Sequence, residues 1–460
     1  MGKFFKLLYR SKKSHARVGE IKTSHGIIKT PAFVAVGTKG TIKTTFPFLL
    51  NQIKTQAAFV NTYHLVSHPG ADLIQKAGGI HQWAKLNLPL MSDSGGFQVF
   101  SLASTKQRFT AKADLSENND ARHRVFSTAS PGRLSQKQVF LHGQNKIRKA
   151  DIRGEEEPLV IKISDDGVRF RSTYDGQLIE FTPEKSMEHQ IKIGADIMMA
   201  FDECTYYPAQ YKYARKAMER THEWLKRCIK YFNNRLATPV LDSFTKVTKA
   251  SSAKPPVGAA LPLKQKQQFL YGIIQGATFE DLRKESAKFV VSQNTDGVAI
   301  GGVSVGESKK EMRDQVDWVA DYLPADRPVH LLGVGQFDDI LDLVGYGIDT
   351  FDCVEPTRLA RMGRLYQISS FNFLNSHQVS NFKKTISRQV DIFKNRYKHD
   401  LSPVDENCYC YVCQNFSKSY LHHLFKQKEI LAYNLATYHN LLVMERFFDI
   451  IRELIINNKI

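Results

Sequence analysis

Three aspartates stand where apolar runs give way to polar residues: Asp93 in LMSDSGG, Asp202 in IMMAFDEC and Asp352 in TFDCVEPTR. A carboxylate at the exit of a buried strand costs free energy unless it is paired or used. Two such acids, one attacking and one moving a proton, are the usual equipment for breaking a glycosidic bond through a covalent intermediate. A third carboxylate with the amide of Gln275 matches the edge of a guanine-like base. The acid accepts from the ring N–H and the exocyclic amine, and the amide and a backbone N–H donate to the carbonyl oxygen. Gly95, Gly96, Gly301 and Gly302 present no Cβ and let backbone approach a flat ligand, and Phe97 offers a ring to stack on it. Just past Asp352 the basic loop Pro356-Thr357-Arg358, with Arg361, is placed to hold a phosphate or read a base.

Such groups work together only if the chain brings them to one place. Short apolar strand candidates recur at 33–36, 59–62, 90–93, 197–202, 271–276, 297–302, 330–335 and 350–354. Helical patterns at 209–232, 279–292, 307–322 and 337–346 separate several of them. Strand–helix alternation implies parallel strands with crossover helices, and eight such strands suggest a (β/α)8 barrel, a TIM barrel in the α/β class. A doubly wound open sheet is the alternative; no GxGxxG follows the first strand, so a dinucleotide site has no support. In a barrel the polar strand ends converge on one face, which makes a single shared site the better reading.

Two stretches interrupt the rhythm. Residues 103–157 are rich in Ser, Lys, Arg, Asn and Gln, and residues 234–267 carry Pro239, Pro255, Pro256 and Pro262. Both read as surface insertions. Between them a hairpin is expected to turn at Asp175-Gly176.

The chain has 460 residues, 42% of them apolar and 24% charged, which is ordinary for a globular protein. No apolar run is long enough to span a bilayer, and the N-terminal stretch lacks the core and cleavage site of an export signal. The net charge of +18 favours a polyanionic partner, nucleic acid before membrane. Six cysteines, three of them scattered singly, form no secreted disulfide framework and point to a reducing cytoplasmic setting. The other three fall in Cys408-x-Cys410-x2-Cys413, a spacing that suits Zn2+. With a histidine they close a tetrahedral structural site that leaves no position for water. His422 and His423 are nearer in sequence but lie in a helical pattern starting soon after Cys413; His439, expected to begin a new helix, is preferred as fourth ligand. Residues 440–456 are apolar at helical spacing and read as the last barrel helix. The expected division is a catalytic barrel over 1–363, a zinc-binding subdomain over 364–439 and the closing helix over 440–460.

Taken together, SDSGGFQVFSL (92–102), MAFDECT (199–205), GIIQG (272–276), GGVSVGE (301–307), GVGQFDDI (333–340), FDCVEPTR (351–358) and the cysteine cluster with HHL (422–424) resemble the bacterial type of queuine tRNA-ribosyltransferase, or tRNA-guanine transglycosylase. The likeness covers nearly the whole chain apart from the insertions. It implies exchange of the wobble guanine of tRNAs with a GUN anticodon (those for Asp, Asn, His and Tyr) for a 7-deazaguanine base, after the guanine leaves its stack. By resemblance Asp352 is the nucleophile and Asp93 the general acid/base. Asp93, Ser94, Gly95, Gly96, Asp202, Gln275 and Gly302 line the base site, with Phe97 stacking on the base. Gly333, Val334, Gly335, Gln336, Phe337, Asp338 and Asp339, with Thr357, Arg358, Leu359, Ala360 and Arg361, form the RNA-binding segments. Cys408, Cys410, Cys413 and His439 hold structural zinc. The family type forms homodimers through the zinc lobe, which puts Phe416, Tyr420 and His423 near an interface.

The resemblance has departures. Leu332 stands where Met is usual, Gln336 where Lys is typical and Ser304 where Ala is common. Cys204 and Val305 fit the pattern whose incoming base is 7-aminomethyl-7-deazaguanine, with Glu307 sensing the aminomethyl group through the backbone near Val303; queuine is the alternative base. A non-catalytic RNA-binding relative would lack one of Asp93 and Asp352, and both are present. A barrel glycoside hydrolase has no use for the purine-matching set, and a zinc hydrolase needs an open coordination position.

Overall fold

The computed structural model describes residues 3–96, 160–172, 174–237, 267–367 and 389–460. Phe97 and the expected insertion at 103–157 lie outside the described residues, as does most of the insertion expected at 234–267.

The chain opens with three antiparallel strands absent from the sequence reading, β1 (Phe5–Arg10), β2 (Arg17–Thr23) and β3 (Gly26–Thr30). Phe5, Ile21 and Ile28 turn inward and plug one end of the barrel. Arg17 fastens this sheet to the barrel: its Nε and Nη2 donate to the buried Asp349 carboxylate at 3.0 and 2.5 Å, and its remaining N–H groups reach the carbonyls of Pro324 and Arg327.

The barrel follows. In chain order its strands are β4 (Ala32–Val36), β5 (Ala57–Val60) and β6 (Leu90–Ser92). After a small antiparallel sheet of β7 (Val160–Ile163), β8 (Val168–Arg171) and β9 (Leu178–Phe181) come β10 (Ile197–Met199), β11 (Phe269–Ile274), β12 (Gly297–Ile300), β13 (Val329–Leu331) and β14 (Thr350–Cys353). β8 and β9 form the expected hairpin around Asp175-Gly176. The eight barrel strands close a ring, β14 pairing in parallel with β4 from Thr350↔Ala32 to Cys353↔Ala35. This closure bears out the (β/α)8 reading and excludes the open sheet. Alternation does the sorting: Val34, Phe59, Met91, Met199, Tyr271 and Ala299 fill the interior. Phe33, Ala35, Ala58 and Leu90 face the helices.

The strands stop earlier than expected at their carboxyl ends, β10 at Met199 and β13 at Leu331, so the polar tails are loops at the mouth. The expected basic loop is instead a helix, Glu355–Arg361, whose Pro356 sits in the first turn where its missing N–H is harmless. The helix Tyr211–Ala237 overruns the expected start of the second insertion at 234. His439 does not open a helix either. It lies inside one continuous helix, Ile430–Ile456, because no glycine or proline breaks the apolar period between the two expected pieces. That helix runs from the cysteine-bearing lobe onto the barrel wall beside β4, covering Phe33 with Phe448.

Candidate active site and metal centre

Asp93 follows the last residue of β6 and is held by the end of the neighbouring strand. The Thr62 N–H donates to its Oδ1 at 2.6 Å, the Gly95 N–H to the same oxygen at 3.2 Å, and Asn61 Nδ2 to its Oδ2. Asn61 also caps the helix Thr62–Ser67 by accepting the His64 N–H at 3.0 Å, which explains its place. Burial pushes the Asp93 carboxyl up to about 7 against the pull of these donors, and the charge of Asp202 adds to the rise. A carboxyl poised there can give and take a proton at neutral pH.

Asp202, three residues beyond β10, is buried. Ser94 Oγ donates to its Oδ1 at 2.8 Å and Gln275 Nε2 to its Oδ2 at 2.7 Å. Burial lifts this carboxyl to about 6, opposed by the two donors. Gly96 is required by space, since an added Cβ would lie 2.5 Å from the Asp202 carbonyl oxygen. The Gln275 amide thus faces Asp202, and its own buried Oε1 has no partner among the described residues.

One residue that the sequence reading passed over supports the glycine turn after β12. Arg283, buried on the helix Glu280–Ser292, spends its guanidinium on acceptors around the glycine turn. It donates to the carbonyls of Gly301 (2.6 Å), Gly302 (2.7 Å) and Ala277 (2.7 Å) and to Gln315 Oε1 (2.6 Å). Burial lowers its pKa to about 10, so it stays a cation at neutral pH. Its inward position shares a helix face with Ala287 and Val290, the one signal that set it apart from a surface arginine. Glu307 accepts the N–H of Ser304 and, at 2.9 Å, that of Val305. Because a trans peptide points its N–H and C=O in opposite directions, the Val303 carbonyl faces away from Glu307.

Asp352 lies on β14. Its Oδ1 accepts from the Gly333 N–H at 3.0 Å and contacts His330 Nε2 at 3.2 Å; its Oδ2 has no partner among the described residues. His330, on β13 and fully buried, is the second residue missed, because a lone histidine in an apolar strand reads as core.

The basic side chains gather beside this strand. Arg358 is exposed, and Arg361 is half-buried with Nη1 unpartnered among the described residues. Lys43 and Lys39 reach the same region from the loop after β4, the ring neighbour of β14. Burial lowers the pKa of Lys43, and Arg361, Lys39 and Arg358 lower it further. The other residues expected to bind RNA differ in setting. Gly333 and Gln336 are exposed, Leu359 is half-buried, and Val334, Gly335, Phe337, Thr357 and Ala360 are buried. Asp338 and Asp339 pair with Lys309 at 2.7 and 3.1 Å and with Arg313 at 3.4 and 2.6 Å.

Cys408, Cys410, Cys413 and His439 are all buried and brought together. Nδ1 of His439 lies 3.8, 3.4 and 3.4 Å from the three sulfurs in that order. A tetrahedral zinc with ordinary Zn–S and Zn–N bonds sets that separation at about 3.6 Å. The other ring nitrogen, Nε2, donates to the Tyr366 carbonyl at 2.8 Å and leaves Nδ1 bare for a metal. The four residues could therefore hold a zinc ion. A second group, His25, His81 and Asp196, sits at the far end of the barrel. There the imidazoles stack with centroids 3.4 Å apart and planes 11° from parallel, each meeting a different oxygen of Asp196. The Asp196 carboxylate thus bridges one nitrogen of each stacked ring.

A family model described as queuine tRNA-ribosyltransferase matches residues 12–130 and 154–460. The chain is similar to proteins named queuine tRNA-ribosyltransferase from several bacteria. It is 38% identical to that of Thermoanaerobacter pseudethanolicus over 98% of this chain and 93% of the relative. It is 38% identical to that of Aquifex aeolicus over 98% and 94%, and 34% identical to that of Bacillus licheniformis over 98% and 91%.

Proposed function

This chain belongs to the queuine tRNA-ribosyltransferase family, and we propose that it exchanges the wobble guanine of tRNAs with a GUN anticodon for a 7-deazaguanine base. The incoming base in this reading is 7-aminomethyl-7-deazaguanine, with queuine as the alternative. The single observation that carries the reading is the gathering of Asp93, Asp202 and Asp352 at the carboxyl ends of parallel barrel strands, with the Asp93 carboxyl pushed up to about 7.

In the first step Asp352 attacks the anomeric carbon of the ribose while Asp93 protonates the departing guanine. In the second, Asp93 takes the proton of the incoming base, which displaces the carboxylate and restores the glycosidic bond. Asp202 accepts from the N–H groups of the guanine-like edge. A base carbonyl arriving at the mouth draws Gln275 Nε2 from Asp202, after which Gln275 and the Gly302 region grip one edge of the base. Gly95 and Gly96 let backbone approach the ring. The Val303 carbonyl, turned from Glu307, is an acceptor suited to an aminomethyl cation, and this favours the aminomethyl base. Arg358 and Arg361, with Lys39 and Lys43, meet RNA phosphates or bases, consistent with the net charge of +18.

Cys408, Cys410, Cys413 and His439 hold one structural Zn2+, which supplies cross-linking of the lobe and no chemistry. The proposed division into barrel (1–363), zinc subdomain (364–439) and closing helix (440–460) has one helix, Ile430–Ile456, crossing its second boundary. A homodimer through the lobe is part of the reading; Tyr420, stacked on Phe416 at 5.3 Å, is exposed there. Among the described residues no helix is long and apolar enough to cross a membrane, and the reading puts the protein with its tRNA in the cytoplasm.

The test is incorporation of labelled guanine into a GUN-anticodon tRNA by the native chain and by Asp352→Asn. Incorporation by the native chain alone is expected, with unlabelled 7-aminomethyl-7-deazaguanine competing better than queuine. A folded native chain that binds the tRNA and incorporates nothing would move the non-catalytic subunit reading to the front.

A further inference from the structure

His330 occupies an unusual position. Its ring is fully buried and stacks on Phe59, with centroids 5.6 Å apart and planes at 18°. Nδ1 meets Thr350 Oγ1 at 2.9 Å and Nε2 meets Asp352 Oδ1 at 3.2 Å. A carboxylate oxygen can only accept, so Nε2 carries the hydrogen; the Thr350 hydroxyl serves Nδ1 in either protonation state, donating to a bare nitrogen or accepting from a protonated one. Oδ1 therefore accepts two N–H groups, from His330 and Gly333, while Oδ2 stays without a partner among the described residues.

We propose that His330 is a positioning residue that, with the Gly333 N–H, assigns Oδ2 of Asp352 as the attacking oxygen and keeps the covalent intermediate from becoming a trap. The proposal rests on the nucleophilic role given to Asp352 above. In the first step a lone pair of Oδ2 forms the bond to the anomeric carbon. The bond from that carbon to the base nitrogen breaks, its electron pair stays on the nitrogen, and the Asp93 proton neutralises it. The product is an ester in which Oδ1 is the carbonyl oxygen. The second step reverses this: the incoming base gives its proton to Asp93, its nitrogen bonds to the anomeric carbon, and the electrons of the broken ester bond return to Oδ2.

The two donors bind a charged carboxylate about twice as strongly as a neutral ester carbonyl. They hold Oδ1 in both states but favour the free carboxylate. Asp352 becomes a somewhat weaker nucleophile and a better leaving group. Losing one charge-assisted hydrogen bond shifts that balance toward the ester by about tenfold.

The experiment uses a GUN-anticodon tRNA transcript at one fixed guanine concentration. The fraction of chain carried as a covalent RNA adduct is read on a denaturing gel, and kcat and KM are read from labelled guanine. The expected result has three parts. His330→Phe, which keeps a ring against Phe59 and removes the donor, raises the ratio of adduct to free chain about tenfold and lowers kcat and the KM for tRNA together, so that kcat/KM for tRNA does not fall. His330→Gln, which can offer an N–H to the same oxygen, restores the native ratio. Thr350→Val, which removes the second partner of the ring, moves the ratio the same way as His330→Phe and serves if the phenylalanine variant does not fold. A His330→Phe chain that is folded and loses adduct and turnover in parallel, or matches the native chain, overturns the inference. An absent native adduct, or one persisting in Asp352→Asn, instead overturns the nucleophile reading on which it stands.

Discussion

Replacing Ser94 with alanine should move the acid limb of the guanine KM profile by far more than any other limb and leave the fold of the site standing. Ser94 Oγ donates to Asp202 Oδ1 at 2.8 Å, and Asp202 titrates at about 6 because burial raises it while Ser94 and Gln275 pull it down. A hydrogen bond to a charged group contributes about 1.5–3 kcal/mol, and about 1.4 kcal/mol corresponds to one pH unit. Ser94→Ala therefore lifts the Asp202 carboxyl by roughly one to two units. Protonated Asp202 cannot accept both N–H groups of the guanine edge. The KM for guanine in the native chain should thus rise tenfold per unit as pH falls below about 6. In the variant the same rise should begin near neutrality. The alkaline limb of kcat, set by Asp93 at about 7, should move slightly downward, since a neutral Asp202 no longer raises it. The assay is labelled-guanine incorporation between pH 5 and pH 9 at saturating tRNA. A KM limb that stays put while the variant remains folded would refute the assignment of Asp202 as the base acceptor.

Two further outcomes concern stability. Burial raises the Glu445 carboxyl from 4.5 to about 8, partly offset by Arg452 and Gln56, so the folded chain binds a proton that the unfolded chain lacks between these values. Stability should fall as pH rises through that window. Glu445→Gln should leave Tm nearly unchanged at pH 5 and raise stability at pH 8.5 by on the order of 3 kcal/mol; a Tm difference independent of pH would contradict this. Stripping metal with a chelator should release one zinc per chain and unfold the lobe around Tyr411 and Tyr438, with exchange lost only as the fold is lost. Lost turnover in a chain of intact near-UV circular dichroism would point to a catalytic metal instead.

The barrel was legible because parallel strands covered on both faces are nearly continuous apolar runs, and their polar exits mark the mouth. Asp93, Asp202 and Asp352 could be found that way, since acids at strand ends contrast with what precedes them. The same contrast fails for β1 to β3, where Lys6, Leu7 and Leu8 are all exposed while Phe5, Ile21 and Ile28 pack into the barrel interior. It fails for His330, which looks like core, and for Arg283, which looks like surface; each acts through backbone or carboxylate partners distant in sequence. The basic segment expected as a loop is the helix Glu355–Arg361, and Pro356 in its first turn is a helix starter. The break expected before His439 is absent, and His439 takes its place among the cysteines from inside the continuous helix Ile430–Ile456.

The closure of the ring carries a consequence for how the chain comes to be folded. Strand β4 has one neighbour, β5, soon after it, but its other neighbour β14 begins 318 residues later (Ala32 to Thr350), and the helix over its outer face comes later still. During synthesis Phe33 and Ala35 have no permanent cover until almost the entire chain has emerged. A topology of such long-range pairing folds slowly and exposes an apolar edge meanwhile. The N-terminal sheet, tied to Asp349 through Arg17, has to wait for the same late segment. The enzyme's earliest residues are thus its last to be secured, and a helper that shields nascent chains has most to do at this seam.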